Sequence, residues 1–312
     1  RKGILTQTRR HSYLVKLLGI RHVVLAVNKM DLVDYDQDIF DQIVADYRVF
    51  ADSIGIEEYT AIPISGFKGD NITDASENTP WYEGTALLPL LEAVSVEDSV
   101  EQAQPFRMPV QWVNRPNLDF RGFAGLIASG TVRPGDEVRV LPSGKTSTIA
   151  KIVTFDGDRD MAVADESVTL TLTDEIDCSR GQVIVASKSP LEVADQFETT
   201  LVWMDEQELV PGRAYWMKIG TQTISATVQE PNYEVNVNTQ EHLASKTLDL
   251  NAIGVANITT DRAIPFASYE ESHDLGGFIL IDKISNQTVA AGMIHFSLRR
   301  AQNVHWQATD LG

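Results

Sequence analysis

His22-Val23-Val24-Leu25-Ala26-Val27-Asn28-Lys29-Met30-Asp31 is the stretch on which the reading of this chain turns. A short apolar run, residues 22–27, ends abruptly in a polar turn. A run of that length suits a strand buried on both faces of a parallel sheet. The loop at the carboxyl end of such a strand is where open α/β sheets bind ligands. The order N-K-x-D at that place, Asn28, Lys29, Met30 and Asp31, suits the reading of guanine. An aspartate carboxylate accepts two hydrogen bonds there, from the N1–H and from the exocyclic amino group. Adenine offers no such donor pair and leaves the carboxylate unpaired, a difference of a few kcal/mol. Asn28 would tie the loop to its neighbours, and the stem of Lys29 would cover the base face.

Working outward, Thr8 to Leu18 reads as a helix with Tyr13, Leu14, Leu17 and Leu18 on one stripe, stopped by Gly19. Asp36 to Ile54 reads as a second amphipathic helix, Ala61 to Ile64 as the next strand, and Leu87 to Val94 as a final helix. Strand and helix alternate, which is an α/β pattern. Alone, N-K-x-D also describes a polar turn that ends a strand. A second signal supports the ligand reading: Ser65 and Gly66 follow the next strand, where a Ser-Gly turn can aim backbone N–H groups at guanine O6.

A GTPase also needs a phosphate-cradling G-x-x-x-x-G-K-[ST] loop and a D-x-x-G segment for magnesium and the γ-phosphate. Neither precedes the guanine motif here. Gly144-Lys145-Thr146 has the final letters of such a loop, but Arg139 stands where its first glycine is required. The stretch lies between two strand patterns and reads as a hairpin turn. Asp156 to Asp160 alternates acids like a calcium loop, yet its glycine is misplaced and Ser167 stands where the closing Glu belongs, so an acidic surface turn is expected. The six histidines, His11, His22, His242, His273, His295 and His305, have no metal-ligand spacing. No G-x-S-x-G elbow is present. Trp112, Trp216 and Trp306 read as core or rim residues.

From about residue 105 the texture changes to Val, Ile and Thr with turns every eight to twelve residues. Arg133 to Asp136 and Pro142 to Lys145 carry hairpin signals, and Asp136 to Leu141 alternates clearly. Two β-barrels are expected, with Pro190 at their joint.

The bulk composition bounds the rest. A length of 312 residues favours two or three domains. The net charge of −18 makes broad nucleic-acid binding unlikely, because an acidic surface repels phosphate backbones. The basic pairs Arg9-Arg10 and Arg299-Arg300 are too short to form a patch. The single cysteine, Cys178, excludes an internal disulfide framework, fits the cytoplasm, and reads as a buried small residue. No apolar run reaches the ~18 residues of a membrane span, and the first residues are not a signal peptide. The chain begins without an initiator Met, which points to a fragment or a processed product.

The order guanine motif, Ser-Gly turn, barrel, barrel resembles the elongation-factor class of translational GTPases. Within that class the chain is similar to the GTPase (large) subunit of sulfate adenylyltransferase, or ATP sulfurylase. The resemblance is carried by Gly3 to Ser12, Leu18 to Asp31, Phe120 to Gly125, Val153 to Gly157, Ala291 to Ile294 and Arg299 to Gln307. It implies a multidomain α/β plus β protein. Residues 1–103 would be the C-terminal, guanine-binding half of a P-loop GTPase domain, followed by antiparallel β-barrels at 104–189 and 190–312. It also implies an N-terminally truncated chain, starting after the phosphate loop and both switches, that leaves the edge of the strand at 23–27 bare.

What the resemblance implies for function is a GTP-binding subunit that couples GTP hydrolysis to the joining of ATP and sulfate into adenylyl sulfate and pyrophosphate. Asn28, Lys29, Met30, Asp31, Ser65 and Gly66 would hold guanine. Mg2+ is expected only in the intact protein, its ligands lying in the missing segment. The adenylyl-transfer chemistry would belong to a separate catalytic subunit, so no catalytic residue is assigned here. A fused or associated adenylyl-sulfate kinase is a further expected partner, although the chain stops at Gly312 before any such domain. Two alternatives stay open: a translation-factor-type GTPase that binds RNA or the ribosome, and a non-hydrolysing scaffold for a protein partner.

Overall fold

The computed structural model describes residues 3–94, 103–117 and 120–298. Two compact units are formed, one from residues 1–97 with 236–241, the other from 98–235 and 242–312.

The first unit runs α1 (Thr6–Leu17), β1 (Val24–Val27), a 3-10 turn (Met30–Val33), α2 (Gln37–Ile54), β2 (Thr60–Pro63) and α3 (Leu87–Ala93). Helix α2 starts where it does because Asp36 is its N-cap, Oδ1 accepting from the Asp38 and Ile39 amides. It stops at Gly55, whose φ of +76° suits glycine and whose N–H donates to the Ala51 and Asp52 carbonyls. One face of α2 buries Tyr47, Phe50, Ala51 and Ile54, and Phe40 packs with Val27 and Met30 further along. The stripe expected on α1 is only half-buried, and Leu18 is exposed. That helix meets α2 through Tyr13 and through the buried Ser12, whose hydroxyl lies 2.9 Å from that of Tyr47.

Strands β1 and β2 pair in parallel, Val24 opposite Thr60 through Val27 opposite Pro63. The expectation that β1 is buried on both faces is only partly met. Val27 is buried, Val24 and Leu25 are half-buried, and Ala26 is exposed. The cause is its single partner: among the described residues β1 pairs with β2 alone.

The second unit opens with ten strands: β3 (Arg107–Pro109), β4 (Trp112–Asn114), β5 (Gly122–Leu126), β6 (Thr131–Val132), β7 (Glu137–Leu141), β8 (Lys145–Thr154), β9 (Gly157–Arg159), β10 (Ala162–Val163), β11 (Ser167–Leu172) and β12 (Val183–Ala186). They pair in the order β3-β12-β7-β8-β11-β5-β4, with β9 on β8 and β10 on β6. The sheet wraps one apolar core that holds Phe123, Val138, Val140, Ile152, Leu170 and Ile184. Val138 and Val140 are the inward residues of the alternating stretch read from the sequence. Pro142 to Lys145 is indeed a hairpin, joining β7 to β8 with Gly144 at φ +75°. Arg133 to Asp136 turns, with Gly135 at φ +94°, but it is no hairpin. Its flanking strands pair elsewhere, β6 with β10 and β7 with β8 and β12. Turn residues record local backbone angles and say nothing of which strands then meet.

The last sheet comprises β13 (Glu192–Trp203), β14 (Ala214–Ile219), β15 (Gln222–Val235), β16 (His242–Leu243), β17 (Ile253–Phe266), β18 (Gly277–Ile281) and β19 (Thr288–Ser297), with the short α4 (His273–Gly276) before β18. Its order β14-β18-β19-β13-β17-β15 is closed by pairing of β14 with β15, giving a six-stranded barrel that carries β16 on β15. Closure leaves no open edge among the six. Phe197, Leu201, Trp203, Tyr215, Met217 and Leu280 fill the barrel, each contributing about 1.5–3 kcal/mol by burial.

Between the two sheets Leu141, Val183 and Val185 pack with Leu191, Ala267 and Leu275. Thr221 Oγ1 donates to the Val110 carbonyl at 3.0 Å. Arg107, only 5% exposed, donates from Nη2 to Glu271 Oε1 at 2.5 Å, while its Nε and Nη1 have no hydrogen-bond partner among the described residues. Among the described residues no helix is long and apolar enough to cross a membrane. The segment Arg299 to Gln307, with Arg299-Arg300, His305 and Trp306, lies outside the described residues.

Gly130 has φ +77°, and a Cβ on it would stand 2.5 Å from the Phe106 nitrogen and 2.6 Å from the Gln104 carbonyl oxygen. Gly130→Ala is therefore expected to destabilise the second unit by about 2 kcal/mol or more, from left-handed strain plus backbone overlap. Thermal melting checks this, and an unchanged midpoint would contradict the packing. Cys178 is 1% exposed in the core of the first sheet, and burial pushes its thiol up to about 12. It is expected to resist an aromatic disulfide reagent at mildly alkaline pH until the protein unfolds. Rapid labelling of folded protein would refute that.

Candidate functional site

Because β1 and β2 run parallel, the loops that follow them leave the sheet at the same end. The pairing extends one step beyond the strands, the Ile64 amide donating to the Val27 carbonyl and the Met30 amide to the Ile64 carbonyl. The two segments singled out in the sequence, Asn28 to Asp31 and Ser65-Gly66, are thereby brought side by side.

Side chains lock them together. Ser65, 0% exposed, donates from Oγ to Asp31 Oδ1 at 2.8 Å, and accepts from the Lys68 amide at 3.2 Å. Asp31 Oδ2 has no hydrogen-bond partner among the described residues, so one carboxylate oxygen is held and the other is available. Asn28 Oδ1 accepts from the Lys29 amide at 2.7 Å and from the Gly66 amide at 3.0 Å. The Gly66 amide, expected to point at a ligand, is thus already accepted by Asn28. Lys29 is exposed and sits at φ +70°, starting the 3-10 turn that carries Asp31 back toward Ser65. Met30 is the exception among the six residues. Its side chain turns into the core with Val27 and Phe40 and faces no ligand space.

The loop after Ser65 is organised by a residue that sequence reading missed. Asn71 is 1% exposed and left-handed, with φ +54°. Its Nδ2 donates to the Pro63 carbonyl and to Thr79 Oγ1, both at 2.8 Å, and its Oδ1 accepts from the Ser76 amide at 2.7 Å. A polar residue between a glycine-rich turn and a helix is the faint signal that was there to find. Phe67, beside Gly66, is 92% exposed.

Other candidates separate from this site. Gly144-Lys145-Thr146 belongs to the β7–β8 hairpin, whereas Asp156 to Asp160, expected to be a surface turn, is mostly the exposed strand β9 paired with β8, where Lys151 pairs with Asp158 at 3.0 Å. Trp112 and Trp216 are exposed, the latter under the Lys283 ammonium at 4.1 Å. His295 lies between the Thr200 hydroxyl (2.8 Å) and the Glu198 carboxylate (3.3 Å) on the last barrel. Thr200 is buried, so this order supplies no accessible nucleophile. Among the described residues no group of three or more His, Cys, Asp or Glu is placed to hold a metal ion.

Comparison with known proteins agrees with this architecture. Residues 1–98 match the elongation factor Tu GTP binding domain, and residues 196–295 match the GTP-eEF1A C-terminal domain-like family. The whole chain is 52% identical to 48% of the bifunctional enzyme NodQ of Rhizobium sp. (strain N33). It is 50% identical to half of the bifunctional enzyme CysN/CysC of Xylella fastidiosa (strain Temecula1 / ATCC 700964), again over its full length. Over 94% of the chain it is 48% identical to 63% of sulfate adenylyltransferase subunit 1 of Aliarcobacter butzleri (strain RM4018). The chain thus spans about half the length of the curated relatives it matches. The solved structure of sup35 complexed with GDP has a TM-score of 0.60 at 21% identity, over 94% of this chain and 74% of that one, a likeness of fold.

Asn71→Ala is expected to lower stability by about 2–4 kcal/mol, since it removes three hydrogen bonds at a buried position. Amide exchange should speed up at Ser76. Wild-type protection at that amide would show that Asn71 does not organise the loop.

Proposed function

The chain being a homologue of the sulfate adenylyltransferase subunit 1 and NodQ proteins, we propose that it is the guanine-reading and barrel part of a GTP-binding sulfate adenylyltransferase subunit. The observation that supports this most directly is the Asp31–Ser65 hydrogen bond between adjacent strand-end loops. It fixes one oxygen of Asp31 and leaves the other to accept from the base. The N1–H and 2-amino donors of guanine satisfy such a carboxylate, and adenine does not. Asn28, Lys29, Ser65 and Gly66 complete the pocket, with the Lys29 stem over the base. The O6 of guanine competes with Asn28 Oδ1 for the Gly66 amide. Met30 serves from behind by anchoring the loop in the core.

In this reading the division is three-fold: residues 1–103 for the base-binding part and barrels at 104–189 and 190–312. GTP hydrolysis by the whole protein drives formation of adenylyl sulfate and pyrophosphate from ATP and sulfate, with a separate catalytic subunit holding the adenylyl chemistry. The word subunit in the relative's name supports such a partner. The bifunctional names support an adenylyl-sulfate kinase, fused or associated. Among the described residues no group of three or more His, Cys, Asp or Glu is placed to hold Mg2+. We place the protein in the cytoplasm, without nucleic-acid binding. The likeness to sup35 concerns fold and does not favour a translation role.

The test is a change of base. Xanthine carries a carbonyl where guanine has its 2-amino group, so an amide at position 31 prefers xanthine. In the full-length protein Asp31→Asn is expected to weaken GDP by about 30-fold or more and to strengthen xanthosine diphosphate. Sulfate-dependent pyrophosphate release, measured with the catalytic subunit, should then respond to xanthosine triphosphate in place of GTP. Unchanged guanine preference would reject the site. A correct base switch without any nucleotide stimulation of pyrophosphate release would reject the sulfate-activation role.

A further inference from the structure

Besides the Asp31–Ser65 and Asn28–Gly66 contacts the same two loops are joined a third time. Tyr35 follows the 3-10 turn, and its hydroxyl donates to Asp70 Oδ2 at 2.7 Å. Asp70 Oδ1 accepts from Ser76 Oγ at 2.7 Å and from Asn78 Nδ2 at 3.0 Å. All four groups are held from within the first unit. The backbone of Asp70 closes the Ser65 loop, its carbonyl accepting from the Ser65 amide at 3.3 Å.

Tyr35 is set rigidly for this contact. Asp34 and Tyr35 have φ of +52° and +56°, two successive left-handed residues, a conformation Asp tolerates but one uncommon for a bulky residue such as Tyr35. The support comes from three sides. The Tyr35 amide donates to the Met30 carbonyl at 3.0 Å, the Trp81 indole N–H donates to the Tyr35 carbonyl at 3.1 Å, and the Trp81 ring packs on Phe40 at 5.3 Å. The hydrogen bond to Asp70 pushes the Tyr35 hydroxyl up to about 12, so it remains a donor at neutral pH. The bonds from Ser76 and Tyr35 hold the Asp70 carboxyl below the usual carboxylate range, so it remains a charged acceptor.

We propose that the Tyr35–Asp70 pair is a positioning brace that sets the Ser65 hydroxyl against Asp31 and so fixes the carboxylate orientation that reads the 2-amino group of guanine. This rests on the guanine reading given above. Neither residue touches the base. The brace acts because Ser65 joins both partners: its hydroxyl donates to Asp31 and its amide to the Asp70 carbonyl. When the Tyr35–Asp70 bond is cut, the Asn28–Gly66 and Met30–Ile64 bonds still hold the loops together, but the Asp70 end of the second loop loses its tie to the first, and selectivity falls before general affinity does.

The experiment compares GDP with inosine diphosphate, whose hypoxanthine lacks the 2-amino group, by fluorescence titration on the full-length protein. Tyr35→Phe and Asp70→Asn are each expected to reduce the GDP-to-IDP affinity ratio about fivefold, the effect of one lost hydrogen bond. The double variant should go no further than the larger single effect. Tyr35→Phe keeps the ring packing and serves as the variant that stays folded, verified by melting. A ratio that stays at the wild-type value overturns the brace. So does an equal loss for both nucleotides with a lowered melting temperature, since that marks a merely structural contact. Asp31→Ala is run beside them and must itself collapse the ratio. If it does not, the guanine reading has failed, whatever Tyr35 does.

Discussion

The parallel pairing of β1 with β2 is the constraint from which the candidate site follows. Parallel strands put equivalent ends on the same side, so the residues after Val27 and after Pro63 emerge together. In an antiparallel pair they would lie at opposite ends, and Asp31 could not meet Ser65. The helices serve this pairing. Helix α2 lays one apolar face along both strands, and its Asp36 cap fixes where the first loop ends. The remaining geometry is short-range: a left-handed Lys29 turns the chain back, Met30 plugs it into the core, and two side-chain bonds close the gap to the second loop.

Much of this was legible in the residues because its causes are local. An apolar run ended by a polar turn, a capping aspartate and alternating valines act over a few positions, and the elements of the first unit lie within about two residues of where the pattern put them. The class of the fold followed from the same signals. What was not legible depends on contacts made far along the chain. Tyr35 and Asp70 look like ordinary loop residues until the sheet brings them together. Asn71 organises its loop only because Pro63, Thr79 and Ser76 converge on it. The turn at Arg133 was read correctly as a turn, but its strands found other partners. The burial of β1 was overestimated, since an apolar run reports what a strand prefers and not what covers it.

The second unit shows how an acidic chain can still build firm β structure. Its cores are apolar, and many of its charged groups lie at the surface in ordinary pairs such as Lys151 with Asp158 and Arg159 with Glu166, with Arg107 and Asp282 buried exceptions. Such exposed pairs add little stability individually. Rigidity comes instead from closure of the last sheet and from the apolar contact between the two sheets.

Arg107 has a consequence for how these two sheets can vary. Its guanidinium is buried at the junction with one carboxylate, Glu271, and two of its nitrogens unanswered among the described residues. A charge so placed tolerates the loss of its partner far worse than the loss of itself together with that partner. The contact ties two positions that lie 164 residues apart in the chain, and the carboxylate that answers the buried guanidinium is itself about half exposed. Exchanging one sheet for a relative's therefore leaves this guanidinium without its carboxylate unless the incoming sheet supplies one. The junction thus acts as a compatibility test between modules that otherwise have separate cores.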